Sequence, residues 1–259
     1  MREWIASADL VSLLVACTIL CVALTLASIA WGYAIERRAY AMGRKVFDVP
    51  HKRGQMRTEI LGAVLFHFAF VPALALALHA HWITFSSGWA AELLPLPVLW
   101  LAFQVSYYPF HRLAHQRAFF WIHRWHHVSM VTTPITGLSM HPIEACAWVV
   151  MMLGPMIVLA QLGLLGLWGG LLFLGVHWVG NLIGHVNADF LPVKATHLSS
   201  LWRVPDSYHC LHHARFDGHY GFAAAYMDRI FGTEFADWEA VHDRVWRGEP
   251  LKSIREHAE

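Results

Sequence analysis

Long apolar runs, rather than alternating positions, organise this chain. Four tracts carry no Asp, Glu, Lys or Arg: residues 10–35, 60–91, 93–110 and 145–188. A helix of about 20 apolar residues spans the hydrocarbon core of a bilayer, so each tract predicts a membrane helix. The first is longer than the roughly 7–15 apolar residues of a signal peptide and reads as an uncleaved anchor. In the second, the span lies near 60–80. The third begins with Pro95 and Pro97, which a membrane helix end tolerates. As one helix the fourth would be about 66 Å long, twice the core thickness, so it predicts a re-entrant hairpin turning near 161–163. The expected fold is all-α: about five membrane helices, including the hairpin, with a cytosolic helical cap. One catalytic domain fills 1–259: an anchor and basic loop (1–58), a core (59–235) and a C-terminal tail (236–259).

Composition agrees. Of 259 residues, 57% are hydrophobic and 14% charged, against about 25% charged in soluble domains. A net charge of +1 excludes a nucleic-acid partner on electrostatic grounds. The basic residues orient the chain. Seven lie between the first two spans, three follow the third and eight lie from Lys194 onward, so 18 of 19 share one side. The positive-inside rule makes that side cytoplasmic. Cys17, Cys21, Cys146 and Cys210 show no thiolate-metal or disulfide spacing.

Nineteen histidines are the unusual feature, and their order carries the chemistry. After the third span, YYPFHRLAHQRAFFWIHRWHHVSM places His111 and His115 four apart, followed by His123, His126 and His127 as H-x-x-H-H. On one continuing helix these five would share one side, within about 160° of each other. SYHCLHHARF supplies a second H-x-x-H-H: His209, His212 and His213. Two such helices facing each other can chelate from opposite sides. Eight imidazoles exceed the four ligands of a tetrahedral zinc and suit two metals with positions left open. On the last span, HWVGNLIGHVN aligns His177, Asn181 and His185 on one face. His185, an ionisable group at a membrane helix end, is a further ligand candidate. His141 is a candidate ligand, supporting donor or turn residue, and His177 and Asn181 are pocket or ligand-orienting candidates. His197 and His219 are undecided, with His219 favoured. His51, His67, His79, His81, His242 and His257 read as structural or solvated.

These motifs resemble the fatty acid hydroxylase superfamily, and within it the sterol desaturase-like branch. The resemblance covers about 107–235, through YPFHRLAH, HRWHH, GLSMHPIEA, NLIGH and HCLHHARFDGHYGF followed by MDRIFGTEF. It implies membrane helices under a cytosolic cap that holds a histidine-ligated di-iron centre. Its ligands map to His111, His115, His123, His126, His127, His209, His212 and His213, with His185 as a further one. Many relatives place Asp where Gln104 and Ser106 stand, and Asn where His219 stands.

The chemistry also follows from the parts. Imidazole-held iron with open positions can bind O2 and attack an unactivated C–H bond. The expectation is a membrane-bound oxidoreductase that hydroxylates or desaturates a lipid drawn from the bilayer: sterol, hopanoid, fatty acyl or related. Two iron ions are the expected cofactors, with zinc able to replace them in purified protein and O2 as co-substrate. Electrons must come from a separate ferredoxin-type carrier, since the chain has no dinucleotide fingerprint or iron–sulfur cysteine set. A bacterial inner membrane is the expected location. The competing readings are a haem-bearing membrane cytochrome, a metal transporter, and a hydrolytic or inactive metal site.

Overall fold

The computed structural model describes residues 1–192, 198–201 and 203–258. His197 and Lys194 lie outside them. Among the described residues eleven α-helices follow in order: α1 (Arg2–Ser7), α2 (Leu10–Ala41), α3 (Gln55–His79), α4 (Trp89–Leu93), α5 (Pro95–Ala114), α6 (Phe120–His123), α7 (Pro142–Gln161), α8 (Leu167–Ile183), α9 (Asp206–Arg215), α10 (Tyr226–Phe231) and α11 (Trp238–Trp246). Among the described residues there is no strand, only isolated bridges such as Lys45 with Ala188. The fold is all-helical, as expected.

Helix ends follow local chemistry. Asp9 caps α2 by accepting the Ser12 N–H at 2.8 Å, and Pro95 and Pro142 open α5 and α7, where a missing N–H costs nothing. The predicted hairpin is present. α7 stops at Gln161, Gly163 turns the chain at φ +70°, and α8 returns from Leu167. At that turn Glu92 accepts the Gly169 N–H at 2.8 Å and pairs with Arg2.

Helices α2, α3 and α7 are each long and apolar enough to cross a membrane. α5 and the 17-residue α8 pack against them in the same bundle. Val11, Ile19 and Leu26 on α2, and Phe68 on α3, are each more than 60% exposed. An apolar outer surface of that extent suits lipid and not water, and the chain is a membrane protein. Inside, Phe66, Phe70, Phe103, Trp148 and Trp178 form an aromatic core. His67, expected to be structural, is satisfied there: Nδ1 meets the Ala63 carbonyl at 2.8 Å and Nε2 the Thr25 hydroxyl at 3.0 Å.

A second core lies beyond the bundle, where Val46, Phe47 and Leu251 pack with Tyr208 and Leu211 of α9 and with Trp238, Val241 and Val245 of α11. Residues 236–258 are thus built into the cap. His242 fastens α11 to the end of the bundle, its Nδ1–H donating to Asp189 at 2.7 Å.

One local expectation is corrected. The histidines from His111 to His127 do not share a continuing helix. α5 ends at Ala114, the Phe119 and Phe120 N–H groups both bond to the Gln116 carbonyl, and the chain doubles back through α6 and a 3₁₀ turn, His126–Val128. Physics favours the break. A continuing helix would carry His123 about 18 Å along the axis from His111, whereas the turn brings their Nε2 atoms to 3.0 Å.

Candidate metal centre

Nine histidines gather between the bundle and the cap in two groups, the donor atoms of each lying within 4.8 Å of one another. Group one is His111, His115, His123, His127 and His212; group two is His126, His185, His209 and His213. These are the nine residues expected as ligands, but the partition is different from two motifs facing each other. Each H-x-x-H-H is divided. His123 and His127 join group one while His126 turns to group two; His209 and His213 join group two while His212 turns to group one. On a regular helix such as α9, positions i and i+4 stand about 40° apart, and i+3 lies on the far side of i. Two divided motifs therefore interlock.

The ring nitrogens have separate duties. Nδ1 of His111 bonds to the Tyr220 carbonyl (2.9 Å), of His126 to Ser139 (3.2 Å), of His185 to Asn181 (2.6 Å), of His212 to Gly218 (2.7 Å) and of His213 to Ser129 (3.0 Å). His123 Nδ1–H donates to the Glu144 carboxylate at 2.6 Å. A carbonyl or carboxylate accepts only, so each of these rings holds its proton on Nδ1 and presents a bare Nε2. Burial holds His123, His126, His127, His209 and His213 well below the usual imidazole range and brings His185 and His212 down to about 4, so the rings are neutral near pH 7.

The Nε2 atoms converge. Nε2 of His111 and His123 are 3.0 Å apart, those of His123 and His127 3.0 Å, and those of His127 and His212 3.1 Å. In group two, His185 and His209 approach to 3.0 Å and His209 and His213 to 3.2 Å. Between His111 and His123, which both carry their proton on Nδ1, two lone pairs repel at such a distance, and a cation relieves this. Cis donors about 2.1 Å from one cation stand about 3.0 Å apart. The donor set fits a metal in each group, and imidazole without carboxylate suits iron, zinc, copper or nickel. Clustering at helix ends, rather than as opposed single pairs within spans, is not the pattern of axial haem ligation.

The remaining candidates fall outside both groups. His141 caps α7, its Nδ1 accepting the Ile143 N–H at 3.3 Å. His219 has both nitrogens engaged, donating to the Tyr208 carbonyl at 2.8 Å and accepting from the Phe235 N–H at 2.9 Å, and it stacks on Tyr208 at 3.4 Å. It holds the chain after α9 in place. His177 and Asn181 line a cavity of about 250 Å³ that reaches His185 and His209.

Three of the buried carboxylates, none singled out from the sequence, brace the centre. Glu144 orients His123. Glu59 accepts from Gln55, Ser129, Thr133 and Thr136 at 2.7–2.8 Å, bracing the segment whose Ser129 and Ser139 carbonyls serve His213 and His126. Asp228 accepts from the Tyr220 and Gly221 N–H groups and Thr233 at 2.7–2.8 Å and from Tyr208 at 3.1 Å. It fixes the loop whose Gly218 and Tyr220 carbonyls serve His212 and His111, and burial pushes its carboxyl up to about 6. The one available signal was position: Glu59 and Glu144 are the last charges before uncharged tracts, on the basic side. Close packing adds to this bracing. A Cβ on Gly137 would stand 2.9 Å from the Asn181 carbonyl and 3.1 Å from His185 Nδ1.

Comparison with known proteins agrees with this geometry. The family model for fatty acid hydroxylase matches residues 96–233, which hold all nine histidines. The protein CER1-like 1 of Arabidopsis thaliana is 31% identical over 144 residues, 53% of this chain and 23% of its own length. Very-long-chain aldehyde decarbonylase GL1-6 of Oryza sativa subsp. indica is 29% identical over 151 residues, 55% of this chain and 23% of its own. Very-long-chain aldehyde decarbonylase CER1 of Arabidopsis thaliana is 27% identical over 158 residues, 57% and 24% respectively. The chain thus spans under a quarter of the length of these relatives. No solved structure matches. With its histidine motifs, its helical architecture and more than half its length matched, the chain belongs to the fatty acid hydroxylase family.

Proposed function

We propose that this protein is a membrane-bound, O2-dependent non-haem di-iron oxygenase acting on a C–H bond of a lipid. The observation that carries the reading is the convergence of Nε2 atoms in two adjoining groups, His111–His123 at 3.0 Å in one and His185–His209 at 3.0 Å in the other. Two irons bound there would supply O2 activation strong enough for an unactivated C–H bond. Hydroxylation then balances as one O2, two electrons and two protons giving C–OH and water.

The chain's own residues do the rest. Carbonyls and Glu144 lock ring orientation, as supporting partners do in metal sites. The apolar residues that line the cavity beside His185, Trp100, Val176 and Phe222 among them, would hold one carbon near the centre. Desaturation starts from the same hydrogen removal. The names of the plant relatives favour long-chain substrates over rings.

A separate ferredoxin-type carrier would bring the electrons. The basic-residue count supports a centre on the cytoplasmic side, where exposed Arg53, Arg57, Arg117 and Arg124 would meet an acidic carrier. Elemental analysis of active, detergent-purified protein tests the proposal, with two metals per chain expected. Zinc is admissible after overexpression, because it competes well for imidazole. One metal per active chain overturns the dinuclear reading.

A further inference from the structure

His177 sits two turns before His185 on α8, about 12 Å along the axis into the apolar layer. It is buried, and four aromatic rings enclose it: Phe103 at 4.0 Å, Phe222 stacked at 4.9 Å, Phe173 at 5.4 Å and Trp148 at 5.7 Å. Neither of its ring nitrogens has a hydrogen-bond partner among the described residues. One turn further on, Asn181 donates to the Gly137 carbonyl at 2.6 Å, and its own Oδ1 is also unpartnered. An unsatisfied buried polar group costs about 1–3 kcal/mol. Two neighbouring residues on one face of α8 carry that cost, and both line the cavity that ends at His185 and His209.

The complement of this pair is specific. A neutral imidazole offers one N–H donor and one acceptor, and an amide oxygen only accepts. A hydroxyl can accept from the imidazole N–H and donate to the amide oxygen, whereas a hydrocarbon engages neither. The cavity wall also shows where such a molecule would enter. Trp100 of α5 and the half-exposed Val176 of α8 line it on the lipid side. Between them and His185 lies Gly180, where an added Cβ would meet none of the described residues within 4 Å.

We propose that the passage between α5 and α8, over Gly180, is the lateral entrance for substrate, and that His177 and Asn181 form a subsite for a free hydroxyl on the lipid. This rests on the reading of the nine histidines as a lipid-oxidising centre and adds the polar feature that its substrate must carry.

The test uses the full chain, metal-loaded, in nanodiscs without reductant, so that binding is read apart from turnover. A diazirine-bearing C16 alcohol is photo-crosslinked and competed with hexadecanol or hexadecane. Labelled peptides should come from α5 and α8, and hexadecanol should compete at about tenfold lower concentration, the equivalent of one hydrogen bond of about 1.4 kcal/mol. His177→Phe should remove that difference at unchanged metal content, and His177→Gln, which keeps a donor and an acceptor, should retain it. Gly180→Leu, whose side chain enters open space, should suppress labelling of the wild-type peptides. Equal competition by alcohol and alkane in the wild type, or a tenfold gap that survives in His177→Phe, overturns the hydroxyl subsite. Undiminished labelling in Gly180→Leu overturns the entrance. Neither result depends on how many metals are bound or on whether oxidation occurs, which elemental analysis and turnover decide.

Discussion

Group one gathers five imidazoles, of which His115 is only partly buried, and has the Glu144 carboxylate behind His123. Group two has four, all buried, oriented by backbone carbonyls where its Nδ1 atoms are engaged, with a cavity against His185 and His209. The difference separates two roles. On the proposed reading, a group with five donors would lose its outermost one and still hold a cation, while a four-donor group beside a cavity would have no donor to spare.

The largest effect should come from removing donors on the two sides. His209→Ala should abolish turnover and empty group two, whereas His115→Ala should keep most of the metal in both groups. Metal-to-protein ratios and lipid product read together check this, and equal metal loss in both variants would break the asymmetry. Membrane insertion should be unchanged in either, because it depends on the apolar helices.

Next comes the carboxylate. Glu144→Gln should weaken metal binding in group one by about 10–100-fold, the usual effect of losing a partner that orients a ligand, and leave group two unaffected. Competition against a chelator would resolve two affinities in the variant, and a uniform loss would show that Glu144 does not serve one group alone.

Asp228 sharpens the comparison further, because the loop it fixes serves His212 and His111, both of group one. Its folded-state pKa of about 6 lies above the ordinary 3.8. Between these values the folded chain keeps a proton that the unfolded chain has lost. The contribution of this group to stability is therefore fully present below about pH 4 and declines as pH rises through about 6, by up to about 3 kcal/mol. Because both chains share the histidine titrations, the stability difference between wild type and Asp228→Asn, followed by melting across pH 4–7, should fall as pH rises. Parallel curves would disprove the assignment.

The smallest effect is expected at His141, which caps α7 and lies outside both groups. His141→Ala should cost about 0.5–1 kcal/mol of stability and leave metal content unchanged in both. Loss of metal from either group would give His141 a role its position does not suggest.

Much of this was legible along the chain. The uncharged tracts marked the apolar helices and the hairpin turn near Gln161, because insertion into lipid sums hydrophobicity over a contiguous segment. Eight of the nine clustered histidines stood out for a related reason: H-x3-H and H-x-x-H-H are local spacings that a helical period can interpret. His141, His177, Asn181 and His219 were visible only as candidates, since a lone polar residue carries no record of its neighbours. Glu144 and Glu59 were passed over on the same grounds. A carboxylate at the end of an apolar tract looks like a boundary until the structure shows His123 or a ring of hydroxyls around it.

The sequence by itself therefore determined the apolar helices, the all-α class and which histidines were candidate donors, all of which depend on composition and period within short windows. Only the tertiary structure decided which donors meet. The break after Ala114 folds His123 and His127 back onto His111 and His115, and the docking of α9 sends His212 to one group and His209 and His213 to the other. These pairings join residues up to about a hundred positions apart. They depend on where a helix stops and which face of its partner it meets, and no local periodicity contains either.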